Sequence, residues 1–393
     1  MLFMPDATVL TGATGFLGME LLAQLAERDS RPIIALVRAP DQEQADRRIA
    51  DVRAAVFGDE RHHAQRIRAI PADLERPHLG LRSRDRRDIL ASAGEIVHAA
   101  ASVAFDTNLA EARATNVEGT RRVLELALDA SQRGGLRHMV HVSTAYVAGD
   151  RPGLCAAGHL DPLGPHRNSY ERSKAEAEEL VRNRSRELPV TVVRPSIVVG
   201  DSQTGWTSAF NVVYGPLRAY ASGALRVIPG HEDATVDIVP VDYVARSITA
   251  LLGARPEGVR TVHLTAGDSA TTVGGLCEIG AEYFDQPRPR ILAPRLYRSA
   301  VHPVLVRTGS KPRRRALRAS EVYLPYFAAQ CSYQAEPSAA LLRRLGVNSP
   351  PPLDDYFDVL MSFARAARWG KETIARAVAH RPAALRLASP VAA

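Results

Sequence analysis

The chain has 393 residues, of which 46% are hydrophobic and 24% are charged, a composition typical of a globular protein with one large domain and a smaller attached region. Its three cysteines are scattered and form no CxxC pair, so the sequence predicts neither a disulfide framework nor a metal site and indicates a reducing cytoplasm. The formal net charge of +7 comes without a nucleic-acid-binding motif, which favours anionic small molecules over nucleic acid as ligands.

Short apolar segments alternate with segments of helical periodicity through the first two thirds of the chain. Strands are predicted at Ala7–Thr11 and at residues 33–37, 67–70, 96–99, 139–143, 190–194 and 261–264, and the main helices at residues 17–28, 116–130 and 173–187. Apolar strands separated by helices are typical of a parallel sheet covered on both faces. The sequence therefore predicts an α/β fold with a doubly wound Rossmann sheet, whose ligand crevice lies at the carboxyl ends of the strands.

A glycine-rich turn joins the first strand to the first helix. Gly12 permits the tight turn, Gly15 lets a pyrophosphate approach the main chain, and Gly18 lets the helix pack on the strand. The N–H groups at the start of the helix are suited to hold the phosphates. The turn predicts a dinucleotide site, and its candidate cofactor contacts are Thr11, Gly12, Thr14, Gly15, Phe16, Leu17 and Gly18.

The end of the second strand indicates which nicotinamide cofactor is preferred. NAD-binding Rossmann folds usually place a carboxylate there for the ribose 2′-hydroxyl. This chain has Arg38, whose charge favours the 2′-phosphate of NADP, and Arg48 is a candidate for a second charge. Asp73 and Leu74 follow the third strand, where the carboxylate is a candidate partner of the adenine amino group. Ala100 follows the fourth strand, where a small side chain lets the cofactor lie close to the backbone.

A tyrosine and a lysine four residues apart are the first two candidate catalytic residues. Tyr170 and Lys174 share one face of a predicted helix, and a nearby ammonium is expected to lower the pKa of the phenol from its usual value near 10. Thr144, at the end of the fifth strand, is the candidate for polarising a substrate carbonyl, with Ser143 as the alternative. These residues in this order predict hydride-transfer chemistry beside a nicotinamide ring.

Further segments carry a resemblance to a known family. They are Leu-Val-Arg-Ala at 36–39, His-Ala-Ala-Ala-Ser-Val-Ala-Phe at 98–105, Asn-Val-Glu-Gly-Thr at 116–120, His-Val-Ser-Thr-Ala-Tyr-Val-Ala-Gly at 141–149, Arg-Pro-Ser-Ile-Val-Val-Gly-Asp at 194–201 and Asp-Ile-Val-Pro-Val-Asp-Tyr-Val at 237–244. With the glycine turn and the YxxxK pair, they resemble the extended short-chain dehydrogenase/reductases. Within that family, they are similar to the branch of fatty acyl-CoA reductases and thioester reductase domains, over roughly residues 6–265.

The resemblance implies a reaction and further cofactor contacts. It implies NADPH-dependent reduction of an acyl thioester, carried by coenzyme A or by a phosphopantetheinyl acyl-carrier protein, to an aldehyde, with reduction to the alcohol left open. Thr144 and Tyr170 would then stabilise the oxyanion, and Lys174 would bind the nicotinamide ribose. The additional cofactor contacts that the resemblance implies are Asn116, Pro195, Ser196 and Ile197.

Two other functions remain as alternatives at this point. One is a sugar-nucleotide epimerase or dehydratase, or a hydroxysteroid-type dehydrogenase, on the same fold. These enzymes commonly use NAD, so Arg38 counts against them. The other is a non-catalytic NADP-sensing regulator, against which the intact Tyr170 and Lys174 count.

The domain boundary is predicted near residue 265. Residues 1–265 form the predicted NADP-binding Rossmann domain, with a substrate-capping insert at about 200–240, and residues 266–393 form a smaller, mostly helical substrate region. Residues 311–318 hold five cations, interpreted as a solvated loop or as a docking site for a carrier, coenzyme A or anionic lipid. Neither a signal peptide nor a membrane-spanning segment is expected. Packing on the main domain is expected for the helical segment 356–369, with peripheral membrane contact as the alternative.

Overall fold

A computed structural model describes residues 6–184, 186–256, 258–308 and 321–380. Its central sheet consists of β1 (Ala7–Thr11), β2 (Ile33–Arg38), β3 (Ile67–Ala72), β4 (Ala93–His98), β5 (His138–Val142), β6 (Val190–Pro195) and β7 (Val259–Leu264). The strands lie in the order β7-β6-β5-β4-β1-β2-β3, and every neighbouring pair is parallel. The predicted Rossmann sheet is thereby confirmed. The strand order reverses between β1 and β4, which is where such folds bind ligands.

Helices cover both faces of this sheet. The longer ones are α1 (Phe16–Arg28), α2 (Gln42–Phe57), α3 (Ser83–Ser92), α4 (Gly119–Gln132), α5 (Ser169–Arg182), α6 (Tyr214–Ala221), α7 (Val241–Leu252), α8 (Val273–Phe284), α9 (Glu336–Arg344) and α10 (Phe357–Ala366). Side chains of α1, α2 and α7 form the apolar core on one face, and those of α3, α4 and α5 form it on the other. Apolar burial on both faces explains why the strands read as continuous apolar runs.

Two helices begin earlier than the sequence pattern predicted. The helix predicted from residue 173 starts at Ser169, because the side chain of Asn168 accepts a hydrogen bond from the backbone N–H of Glu171. The helix predicted from residue 116 is preceded by helical turns at Leu109–Arg113 and Ala114–Glu118, and Asn108 caps the first of these turns in the same way. Each asparagine is followed three residues later by a glutamate, which is a helix-start signal that the apolar periodicity does not contain.

Pairs of short strands connect the later part of the chain to loops at the carboxyl edge of the sheet. They join Gly153–Cys155 to Cys331–Tyr333, Ile197–Val199 to Ile238–Pro240, Val227–Pro229 to Arg290–Leu292, and Thr235–Val236 to Thr271–Thr272. Helix α10 packs by Phe357, Leu360 and Met361 into an apolar cluster shared with α6 and α8, which confirms that segment 356–369 packs against the body of the protein. These contacts place C-terminal residues beside the crevice.

Shorter helical segments complete the described structure. They are Pro77–Gly80, Ala145–Ala148, Gly267–Ser269, Pro294–Leu296, Tyr297–Val301, His302–Thr308, Glu321–Ala328, Leu353–Asp355, Arg368–Gly370 and Arg376–Ala379. Within the described ranges, every helix is too short or too polar to cross a bilayer. The basic segment 311–318 lies outside the described residues.

Candidate active site

The glycine turn after β1 forms a cradle made of backbone. Gly12 has a φ of +78°, and a Cβ at this position would lie 2.7 Å from the amide nitrogen of Ala100. At Gly18, a Cβ would lie 1.9 Å from the carbonyl oxygen of Gly12. Such contacts cannot be made by any side chain, so the three segments meet here only because both positions are glycine. The cradle fits the role that the sequence predicted for it, a close backbone approach to a dinucleotide.

The start of α1 offers backbone N–H groups to the crevice. The first hydrogen bond of the helix runs from Met19 N–H to the carbonyl of Gly15, at 2.8 Å. The amides of Phe16, Leu17 and Gly18 precede it, and no side chain caps the helix. Amides in this position, at the positive end of the helix dipole, form a site for a phosphate group.

The side chain of Thr11 fixes the position of the segments that border the crevice. Its buried hydroxyl lies 2.8 Å from Nδ1 of His98 and accepts a hydrogen bond from the N–H of Ala100 at 3.1 Å. The hydroxyl therefore ties β1 to the loop after β4. A cofactor contact by Thr11 would have to come from its backbone.

Two arginines meet at the end of β2, as the sequence suggested. Arg48 on α2 donates hydrogen bonds to the carbonyl oxygen of Arg38 and, at 3.4 Å, to the hydroxyl of Thr14. Both guanidinium groups are exposed, so they are free to turn towards an anion. The structure thus brings together three residues that are widely separated in sequence, next to the glycine turn.

Asp73 and Leu74 form a well-ordered turn after β3. The Asp73 carboxylate accepts a hydrogen bond from the N–H of Glu75 at 2.9 Å and forms an ion pair with Arg76 at 3.4 Å. Leu74 packs against Gly119, where a Cβ would lie 3.0 Å from that of Leu74. The Asp73 carboxylate already has partners, so binding to adenine would have to share or replace them.

One large cavity joins the glycine turn to the predicted catalytic residues. It has a volume of about 870 Å³, and its walls include Gly12, Gly15, Thr144, Tyr170 and Lys174. The parallel strands end at this edge of the sheet, so residues that follow β1, β5 and β6 converge here. The Tyr170 phenol faces the crevice that the glycine turn opens.

Tyr170 is a stronger hydrogen-bond donor than a base at neutral pH. Burial raises the pKa of Tyr170 to about 12, while a hydrogen bond with the Thr144 hydroxyl lowers the pKa by a smaller amount. The direction is opposite to the lowering expected from Lys174, because burial has the largest effect on the pKa of the phenol. A phenol with this pKa is protonated at pH 7 and can donate a hydrogen bond to a carbonyl oxygen.

Lys174 is buried against the end of β5. Its Nζ donates a hydrogen bond to the carbonyl oxygen of Val142 at 2.6 Å. Burial lowers the pKa of Lys174 to about 8, and the nearby Glu178 carboxylate opposes this effect. The ammonium is therefore charged at pH 7 and loses its proton just above that pH, which makes it a candidate titrating group in the crevice.

The structure separates the roles of Thr144 and Ser143. The Ser143 hydroxyl donates a hydrogen bond to the buried carboxylate of Glu178 at 2.9 Å. Glu178 is also ion-paired with the fully buried Arg194. The Thr144 hydroxyl instead donates a hydrogen bond to the Pro195 carbonyl at 3.4 Å and accepts one from Tyr146 N–H at 3.2 Å. It also lines the cavity close enough to the Tyr170 phenol to lower its pKa, so it is the better placed of the two hydroxyls to reach a substrate.

Asn116 joins the loop after β4 to helix α5. Its side-chain amide accepts a hydrogen bond from Ser102 N–H at 2.7 Å and donates one to the Ser102 carbonyl at 3.0 Å. It also donates a hydrogen bond to the Ser173 hydroxyl at 2.9 Å. Asn116 is buried, and these bonds indicate that it positions the crevice. Pro195, Ser196 and Ile197 line the cavity beside Thr144.

An aromatic cluster around Tyr170 was not predicted. Phe105 lies with its ring centroid 5.3 Å from that of Tyr170 and 5.4 Å from that of Tyr326. Tyr326 comes from the C-terminal segment Glu321–Ala328, and its hydroxyl donates a hydrogen bond of 2.7 Å to the fully buried carboxylate of Glu171. The C-terminal region thus helps to build the wall beside the phenol. No local pattern in the sequence pairs residues 155 positions apart.

Comparison with known proteins identifies similar chains. The sequence model of the NAD-binding family described as Male sterility protein matches residues 10–248. The chain is 35% identical to isonitrile lipopeptide synthase of Streptomyces coeruleorubidus, over 64% of the chain and 17% of the synthase. It is 30% identical to fatty acyl-CoA reductase 1 of Mus musculus, over 66% of the chain and 58% of that reductase. The chain therefore corresponds to only part of each of these curated relatives.

A solved structure is similar over nearly the whole chain. It is the terminal R domain from the myxalamid PKS-NRPS biosynthetic pathway, with a TM-score of 0.79 and 26% sequence identity. The similarity covers 94% of this chain and 93% of that domain. The likeness therefore extends beyond the Rossmann sheet to the C-terminal region.

We predict that Gly18→Ala abolishes dinucleotide binding, because its Cβ would collide with the Gly12 carbonyl and open the cradle. The matched control is Gly215→Ala. Gly215 also lies in a helix with ordinary backbone angles, but a Cβ there would meet no atom within 4 Å. Cofactor fluorescence titration should show at least roughly hundredfold weaker binding for the first variant, and no loss for the second. Equal cofactor binding by the Gly18→Ala and Gly215→Ala variants would contradict the role proposed for the glycine cradle.

Proposed function

The chain belongs to the NAD-binding family described as Male sterility protein, and we propose that it is an NADPH-dependent reductase of acyl thioesters. One observation carries the proposal. The hydroxyls of Thr144 and Tyr170 lie in the same cavity as the glycine cradle and an extended apolar wall. A hydroxyl pair of this kind suits a substrate whose carbonyl oxygen gains charge while the rest of the molecule is apolar.

The two hydroxyls would act on the carbonyl oxygen of the substrate. When bound, NADPH would supply the hydride. Tyr170 and Thr144 would donate hydrogen bonds to the oxygen on which negative charge develops, and Tyr170 is kept protonated for this task by its raised pKa. The phenol can pass its proton to that oxygen, and loss of the thiol from the resulting hemithioacetal leaves an aldehyde. Lys174 would hold the ribose next to the nicotinamide by hydrogen bonding.

The apolar half of the cavity supports an acyl group as the bound part of the substrate. It extends away from Thr144 along α6 and α8 and is lined by Leu217, Tyr220, Leu225, Ile228, Val273 and Leu276. Removal of apolar surface from water is the main source of affinity for an aliphatic chain. On this basis we propose that the insert at about 200–240 and residues 266–393 together form the substrate region, with coenzyme A or a phosphopantetheinyl acyl-carrier protein as the carrier of the acyl group.

NADPH is the proposed cofactor because of the charge at the end of β2. The Arg48 guanidinium reaches the backbone carbonyl of Arg38 and the hydroxyl of Thr14, and both arginine residues are exposed. A guanidinium pair of this kind can bind a 2′-phosphate with two charge-assisted hydrogen bonds, whereas a ribose hydroxyl gains much less from it. The same charges favour NADPH over NADH without any change to the rest of the crevice.

We expect purified protein to consume NADPH only when an acyl thioester is added, with aldehyde or alcohol detected by mass spectrometry. Tyr170→Phe and Thr144→Ala should each lower kcat roughly 100-fold or more, because each removes a donor to the oxyanion. Tyr283→Phe is the matched control, because its hydroxyl lies 3.1 Å from that of Ser362 and is not among the groups that line the cavity, so kcat should change little.

Two results would contradict the proposal. The first is a panel of short, medium and long acyl thioesters, presented on coenzyme A and on a carrier protein, that yields no reduced product. The second is a Tyr170→Phe variant with unchanged turnover. NADPH binding should persist in both Tyr170→Phe and Thr144→Ala, which separates lost chemistry from lost folding.

Cofactor preference should depend on the two arginines. We predict that Arg38→Ala lowers the ratio of kcat/KM for NADPH to that for NADH by roughly ten- to a hundredfold, and that adding Arg48→Ala lowers it further. Arg47→Ala is the control, because Arg47 is the sequence neighbour whose exposed guanidinium pairs with Glu43 on the same helix. An unchanged ratio in Arg38→Ala would remove the basis for preferring NADPH.

NADPH affinity should fall as pH rises through the pKa of Lys174. Burial lowers that pKa to about 8, so the ammonium is charged below this pH and neutral above it. We expect the Kd of NADPH to rise roughly tenfold between about pH 7 and about pH 9, as a charged donor becomes a neutral one. Lys174→Arg should remove this dependence, because an arginine stays protonated in that range. A flat wild-type profile would show that Lys174 does not contact the cofactor.

A further inference from the structure

Two cysteines that are distant in sequence meet in the structure. Cys155 and Cys331 are 176 residues apart, and their Sγ atoms lie 3.1 Å from each other. They belong to short parallel strands, Gly153–Cys155 and Cys331–Tyr333, which place Cys155 opposite Tyr333 and Cys331 opposite Gly153. The register makes the two cysteines diagonal neighbours on one face of the strand pair, and their side chains turn towards each other to bring the sulfurs together.

The two cysteines are buried, but a small molecule can reach them from the cavity. Both cysteines are buried, yet Cys331 lines the cavity that contains Tyr170, so a small solute in the cavity can reach the pair. The hydrogen bond with Cys331 lowers the pKa of Cys155, burial opposes this effect, and the cations of Arg151, Arg194 and Arg167 act in the same direction as the hydrogen bond. A lowered pKa favours the thiolate, which is the reactive form of cysteine.

We propose that Cys155 and Cys331 form a site of reversible oxidation, at which a small peroxide converts the two thiols into an intramolecular disulfide. The bond would join the loop after β5 to the C-terminal segment that follows Tyr326. This is a covalent modification site separate from the reductase chemistry, and it does not depend on the proposed substrate.

The chemistry balances with hydrogen peroxide as the oxidant. The Cys155 thiolate attacks one peroxide oxygen, the O–O bond breaks, and a sulfenic acid and one water result after proton transfer. Cys331 then attacks the sulfur of Cys155, the S–S bond forms, and a second water leaves. Two thiols are oxidised by two electrons, and one peroxide is reduced to two waters. An external thiol reverses the reaction by exchange.

Bond formation requires the sulfurs to close and the two short strands to adjust, because the strand register offsets Cys155 from Cys331 by two residues. The sulfurs must approach by about 1 Å from their present separation to reach the length of a disulfide bond. The bond would close a loop of more than 170 residues, which strongly restricts the unfolded chain. The oxidised protein should therefore keep its fold and unfold at a higher temperature than the reduced protein.

The test compares the reduced full-length chain with the same chain after limited exposure to hydrogen peroxide. Denatured reduced protein should titrate three thiols and denatured oxidised protein one, and peptide mass spectrometry should find Cys155 linked to Cys331. Dithiothreitol should restore all three thiols. The melting temperature should rise by several degrees on oxidation and return to its starting value on reduction.

Three variants separate the pair from the remaining cysteine. Cys155→Ser should keep a two-thiol count after the same exposure, whereas Cys331→Ser should keep one, because Cys155 then stops at the sulfenic acid. Neither variant should show a rise in melting temperature. Cys277→Ser should still lose two thiols, because Cys277 lines the same cavity from α8, apart from the pair, and burial raises its pKa to about 11. The proposal is overturned if wild-type protein retains three thiols, if the linked peptide contains Cys277, or if Cys155→Ser shows the same rise in melting temperature.

Discussion

The position of Tyr170 depends on the buried polar contacts of helix α5. Along this helix, Ser173 is bound to Asn116, Lys174 to the Val142 carbonyl, and Glu178 to Ser143 and Arg194. These contacts join α5 to the helical turn before α4, to the end of β5 and to β6, and each partner is buried. Removing any one would leave an unpaired polar group away from water, so these contacts fix the helix in one place. The Tyr170 phenol lies on the first turn of α5, so the same contacts also fix its position.

The same burial sets the chemistry of the crevice. It raises the pKa of Tyr170 and lowers that of Lys174, so both groups move towards their uncharged forms. The phenol consequently serves as a donor at neutral pH, which a reductase needs at the substrate oxygen. The pKa of Lys174, about 8, lies only slightly above neutral pH, so the ammonium is charged at pH 7 but loses its proton soon above it. The spacing of Tyr170 and Lys174 in the sequence suggested a lowered pKa for the tyrosine. Spacing shows that two groups are close, but it does not show how deeply they are buried.

The sequence allowed prediction of the features that depend on local pattern. The strands, the glycine turn and the Tyr170–Lys174 spacing each lie within a few consecutive residues, and the structure places all of them at one edge of the sheet. Contacts between distant segments could not be predicted this way. Tyr326 reaches Glu171 across 155 positions, and Cys331 reaches Cys155 across 176. Tyr326 and Cys331 lie after β7, where the sequence shows no regular alternation of strands and helices. The path of the chain there determines their partners.

The cavity has a polar wall and an apolar wall, and the two differ in how strictly the positions of their groups are constrained. Its polar end is made of glycine backbone, hydroxyls and one ammonium, all held by the sheet, where small displacements change hydrogen-bond geometry. Its apolar end is made of side chains on α6 and α8, where one aliphatic residue can replace another at modest cost. Variation of the second wall can therefore change which apolar group fits without disturbing the first. In the proposed reaction, selectivity for the substrate would follow from α6 and α8, and reactivity from the residues that follow β1 and β5.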